Sequence, residues 1–267
     1  MLYLALLALL LQPVLSIVVL VPLYVYPDTN AAAWQSLFTI ISRHPKVHYL
    51  IIINPNSGPG SGDYPDENYV AGVSRLSTYK NVEMIGYVDT QYTNNPVDMM
   101  KSQIDQYVAW GDYQANITLN GIFFDDATHG TDQSDYEYMS AVSSHAYSAF
   151  AAKNNNRSAT VVFNPGCHVD NQYFNYANYI VEYESPMAEW KGLAPIKRIR
   201  PRMRQKQAII MNSVSPSSTN ISNVVTPMYK QTIGAVYMTN QCCYNAIDFA
   251  QLTKLSSTIA SLQRKQH

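Results

Sequence analysis

Gly121-Ile-Phe-Phe-Asp-Asp126 and Tyr179-Ile-Val-Glu-Tyr-Glu184 are short apolar runs of strand-forming residues that end in carboxylates. Runs of that length and composition predict buried strands. A carboxylate at the tip of a buried strand is costly unless the tip opens on a polar mouth. Two such strands, bringing acids to one mouth, supply what general acid/base or nucleophilic chemistry on a glycosidic bond requires. The plainer reading is that these acids cap loops or pair with surface Lys and Arg.

The pattern repeats along the chain. Strands are predicted over residues 17–24, 48–54, 82–88, 121–125, 159–164, 179–184, 207–212 and 233–238. Helical spacing lies between them at 31–42, 69–79, 96–110 and 136–153, and again at 246–262. Alternation of this kind implies parallel βαβ units, and eight units in about 250 residues imply a single (β/α)8 TIM barrel. No composition shift or long linker marks a second domain.

Ahead of the barrel stands Met1-Leu-Tyr-Leu-Ala-Leu-Leu-Ala-Leu-Leu-Leu-Gln-Pro-Val-Leu-Ser16. A Leu-rich core followed by small residues is the pattern of a secretory signal peptide. The expected division is therefore 1–16 as leader and 17–267 as catalytic barrel, with the mature protein secreted to the extracellular space or cell wall. A membrane tether is the alternative, but Gln12, Pro13 and Pro22 break the run short of the roughly 20 apolar residues a spanning helix needs. Asn-x-Ser/Thr sequons at Asn116, Asn156 and Asn220 fall in polar loops, which agrees with secretion and glycosylation. Three cysteines, Cys167, Cys242 and Cys243, leave at least one unpaired within the chain, with Cys167 free to bridge either neighbour or neither.

Net charge is −1 and only 14% of residues are charged, which gives no basis for a nucleic-acid partner. Lys197-Arg-Ile-Arg-Pro-Arg-Met-Arg-Gln-Lys206 is the one basic run, fitting either an anionic contact or a solvated loop. The six histidines form no His-x-His or His-Glu-x-x-His, and no Gly-x-Ser-x-Gly elbow occurs. No metal or cofactor is implied, and no stable membrane association is expected.

Barrel enzymes work at the C-terminal ends of their strands. Those ends carry Tyr24 and Tyr26, Asn54, Tyr87 with Asp89 and Tyr92, Asp125 with Asp126, Asn164, Glu182 with Glu184, Asn212, and Tyr237 with Thr239 and Asn240. Side chains alternate along a strand, so Asp125 and Asp126 should diverge while Glu182 and Glu184 share a face. The expected catalytic pair is Asp125 as an ionised nucleophile and Glu184 as a proton donor with a raised pKa, with Asp126 assisting. The 21 tyrosines fit a sugar site, since a phenol ring stacks on a sugar face and hydrogen-bonds its hydroxyls. The remaining rim residues are expected to bind substrate, and Tyr244 joins the rim tyrosines.

The runs Asn54-Pro-Asn-Ser-Gly-Pro-Gly60 and Gly86-Tyr-Val-Asp-Thr90 with Tyr92 carry a family likeness. So do Tyr107 with Trp110, the ending Tyr183-Glu184, and Val236-Tyr-Met-Thr239. In this order they resemble the spherulin-4 family, over nearly all of the chain after the leader. The resemblance implies a (β/α)8 barrel and a secreted glycoside hydrolase similar to family 135, cleaving α-1,4-linked N-acetylgalactosamine in galactosaminogalactan. The family's strand-four Asp-Glu motif falls on Asp125 and Asp126, the latter one methylene shorter, and its strand-six glutamate falls on Glu184. Thr93, Asn94 and Asn95 stand where the family usually has an Arg. These departures leave the exact sugar and linkage open. A non-catalytic wall or spore-coat protein, binding polysaccharide with the same rim, is the alternative.

Overall fold

Eight strands pair in chain order: β1 (Val18–Leu23), β2 (Tyr49–Ile53), β3 (Val82–Asp89), β4 (Gly121–Asp125), β5 (Thr160–Phe163), β6 (Tyr179–Pro186), β7 (Gln207–Asn212) and β8 (Ala235–Met238). Every pairing is parallel, and β8 returns to β1, closing the expected barrel. This computed structural model describes residues 16–153, 158–194, 201–217 and 219–265. The leader expected over 1–16 lies, apart from Ser16, outside the described residues, as do the Asn156 sequon and residues 197–200 of the basic run. Among the described residues no helix is long and apolar enough to cross a membrane.

Six α-helices pack around the strands among the described residues: α1 (Gln35–Arg43), α2 (Glu67–Leu76), α3 (Val97–Tyr113), α4 (Gln133–Lys153), α5 (Ile221–Lys230) and α6 (Phe249–Arg264). Caps set several starts. The Asp66 carboxylate accepts from Asn68 N and Tyr69 N at α2, and Asn220 and Asp248 do the same work at α5 and α6. Such caps are each worth about 1 kcal/mol. The helix expected from residue 31 begins instead as a 3-10 turn over Thr29–Trp34, because Asn30 and Ala31 take left-handed φ of 57° and 55°. Helix α5 was not expected, since Pro227 interrupts its pattern. The β5–β6 link carries a 3-10 turn, Asn171–Asn175, and no α-helix, and the described parts of the β6–β7 link likewise hold only 3-10 turns.

The core lies inside the barrel and between barrel and helices. Tyr107 and Trp110 of α3 are fully buried, and the Tyr107 hydroxyl donates to Ile53 O at 3.2 Å. Gly86 makes room for that ring, because a Cβ there would lie 2.5 Å from it. These family-like residues therefore pack the barrel wall. Of the basic run, Lys206 donates to the carbonyls of Phe174 and Ala177, and Arg204 to Gln231 Oε1. Both cations are thus tied into internal contacts.

Candidate active site

A cavity of about 400 Å³ opens at the C-terminal mouth of the barrel. Asp125, Asp126, Glu184, Tyr24, Tyr92 and Asn164 are among its lining residues, and all six were expected at the rim. Asp125 is the last residue of β4. The chain then turns through Asp126 in the left-handed region, at φ 46°. That turn ends the strand's alternation, so the two aspartates face one cavity instead of diverging. It costs about 1–3 kcal/mol for a non-glycine residue and is held from outside. The buried Thr90 hydroxyl donates to Asp126 O at 2.7 Å, and Tyr92 N donates to the same carbonyl at 2.8 Å.

Asn164 joins the two principal acids. Its Nδ2 donates to Asp125 Oδ1 and to Glu184 Oε2, each at 2.7 Å. Two oxygens each 2.7 Å from one nitrogen lie no more than twice that, 5.4 Å, apart. The other Asp125 oxygen accepts from the Tyr87 hydroxyl at 2.7 Å. Glu184 is anchored through its backbone, whose N–H donates to Gly166 O at 2.9 Å. The Tyr244 hydroxyl feels the charge of Glu184. It is buried, with Glu184 and Asn212 as its polar neighbours.

Burial pushes the Asp125 carboxyl up to about 6, with the Glu184 charge adding to the rise and the bonds from Tyr87 and Asn164 opposing it. The acid expected to ionise most easily is thus lifted. Burial and the neighbouring Asp125 charge also raise the Tyr24 and Tyr87 hydroxyls, which stay protonated as donors.

Several expected site residues lie off this cavity. Glu182 does not share a face with Glu184, because the β6–β7 register shifts between Val181 and Tyr183. It is buried and accepts from Val169 N, from Gln207 Nε2 and at His168 Nδ1, making it a structural hydrogen-bond partner. Asn54 is turned back onto its own loop, its Oδ1 accepting from Gly58 N. Asp89 accepts from Gln91 N. Tyr87 stands behind Asp125 and acts through it. Tyr237 and Thr239 are buried in the barrel wall, and Asn240 is exposed, bonded to Gln241. Tyr26 lines a separate cavity beyond the end of β1.

Tyr244, one of the expected rim tyrosines, lines the cavity together with Gly166 and Cys167, and Thr90 braces it. Only Tyr244, as a tyrosine after β8, carried a sequence signal. All three cysteines are unbonded, with the exposed Cys242 and Cys243 sulfurs 2.7 Å apart. Among the described residues no group of three or more His, Cys, Asp or Glu is placed to hold a metal ion.

Residues 18–259 match the model of the spherulation-specific family 4. Spherulin-4 of Physarum polycephalum is 31% identical over 255 residues, covering 91% of this chain and 70% of that protein. The crystal structure of Aspergillus clavatus Sph3 in complex with GalNAc superimposes with a TM-score of 0.83 at 28% identity, covering 92% of this chain and 98% of that one. A chitinase from Bacteroides thetaiotaomicron, at 14% identity and a TM-score of 0.59, shares the fold.

Proposed function

The chain belongs to the spherulation-specific family 4, and from that premise we propose that it is a secreted glycoside hydrolase similar to family 135. Its substrate is a polysaccharide of α-1,4-linked N-acetylgalactosamine and galactosamine, like galactosaminogalactan. The observation that carries this is the carboxyl pair bridged by Asn164 at the barrel's catalytic face. A gap of no more than 5.4 Å between its nearest oxygens suits a retaining hydrolase, whose carboxyls stand about 5–5.5 Å apart, rather than an inverting one at about 6.5–9.5 Å. The GalNAc held by the Aspergillus relative supports the sugar class.

In this reading Asp125 is the nucleophile. Both of its oxygens already accept hydrogen bonds, so a proton on it would displace Tyr87 or Asn164. Asp125 attacks the anomeric carbon while Glu184 gives its proton to the leaving oxygen. The resulting glycosyl ester is then hydrolysed by water that Glu184 deprotonates. Asp126, Tyr24, Tyr92 and Tyr244 contact the sugar. The leader-like start and the exposed sequon residues Asn116 and Asn220 support an extracellular site of action.

Release of reducing ends from purified galactosaminogalactan tests the activity. Binding without release would favour the coat-protein alternative. The pH profile tests the roles. A nucleophile must be ionised, so activity should fall as pH drops through about 6, the value for Asp125. If Asp125 were the proton donor, activity would instead fall as pH rises through that value.

A further inference from the structure

A second cavity, of about 350 Å³, lies on the same rim, between Tyr26 and the loop that runs from Pro55 to Asp66. We propose that it is a distal subsite that binds a further sugar unit of the same polysaccharide, away from the bond being cut. This rests on the polysaccharide-active reading above and adds a place where the polymer is held.

The cavity is preformed. Asn54 Oδ1 holds Gly58 N, Gln106 Nε2 donates to the carbonyls of Gly60 and Gly62, and the Tyr69 hydroxyl donates to Asn54 O. Pro55, Pro59 and Pro65 stiffen the loop further. A fixed loop binds without a large ordering cost.

Its walls present two phenol rings to solvent. Tyr64 is 43% exposed and is backed by Tyr113, stacked at 4.5 Å and 17°. Tyr26 is 44% exposed and stands edge-on to Tyr69 at 5.6 Å. Exposed rings held rigid from behind offer flat faces for the C–H face of a pyranose. Polar partners surround them. The Tyr26 hydroxyl accepts from Asn68 Nδ2 at 2.8 Å and donates to Asp66 Oδ2 at 3.1 Å. Asp63, Asp66 and Glu67 make the neighbourhood acidic, which disfavours a polyanion and favours a neutral or amino sugar.

The cavity follows β1 and β2, whereas the carboxyl pair follows β4 and β6, so the two lie apart around one mouth. A polymer lying across the mouth reaches both.

Affinity electrophoresis of the full chain in gels containing galactosaminogalactan tests this, with Asp125→Asn in the background to prevent cleavage. Adding Tyr64→Ala should weaken retardation about 3- to 10-fold, the size of one aromatic contact, while Tyr64→Phe keeps the ring and the retardation. Equal retardation of all three proteins would overturn the subsite and leave the hydrolase reading standing. No retardation of any of them, with no reducing ends released by the wild type, would overturn both. Reducing-end release by the wild type separates these cases independently.

Discussion

Asp125→Asn is expected to lower kcat/KM on galactosaminogalactan by at least about a thousandfold, or about 4 kcal/mol in the barrier. The amide cannot attack the anomeric carbon, while the sugar contacts of Asp126, Tyr24 and Tyr92 remain, so kcat should carry most of the loss. Stability should move the other way. The Asp125 carboxyl sits at about 6 against an ordinary 3.8. A carboxyl raised by folding stabilises the protein only while protonated. That contribution is whole below the unfolded value and is lost as pH rises through about 6. The loss is up to about 3 kcal/mol, at 1.36 kcal/mol per unit. An asparagine escapes it, so the variant should melt above the wild type at pH 8 and not at pH 4. Such a trade of stability for a poised acid is common at active sites. Wild-type turnover in the variant would remove Asp125 from the chemistry.

Gly121→Ala is expected to cost at least about 3 kcal/mol, because overpacking against backbone leaves no side chain to yield. Gly121 opens β4 opposite Thr160 of β5. A Cβ there would lie 1.8 Å from the Thr160 carbonyl oxygen and 2.6 Å from its carbon. Relief requires the two strands to part at the start of the segments that carry Asp125 and Asn164 to the mouth. For a domain of this size the melting temperature should drop by about 6–12 °C. Thermal unfolding followed by circular dichroism measures this, and a drop under about 2 °C would show that the strands are not seated as described.

The barrel was legible because its signals are strong and local. Parallel strands buried on both faces are continuous apolar runs, and their polar ends mark the working rim. Asp125, Asp126, Glu184, Asn164, Tyr24 and Tyr92 meet at one cavity because they end or follow such strands. What escaped the sequence is geometry that departs from regular period. The register shift at Val181 and Tyr183 sends Glu182 away from Glu184. The left-handed turn at Asp126 brings together two acids that strict alternation would separate. Helix α5 hid behind Pro227. The lift on Asp125 comes from burial and from the charge of Glu184, two strands away, which no local motif encodes. The second cavity depends on a loop tied to Gln106 of α3, a contact across the fold.

The two carboxyls sharing Asn164 are proposed to act as nucleophile and acid on an α-linked amino-sugar polymer. The most direct test is the anomeric configuration of the first reducing ends released, followed by proton NMR before mutarotation scrambles them. The pair's spacing predicts retention, with the α anomer appearing first. The β anomer appearing first, or no product at all, would contradict it.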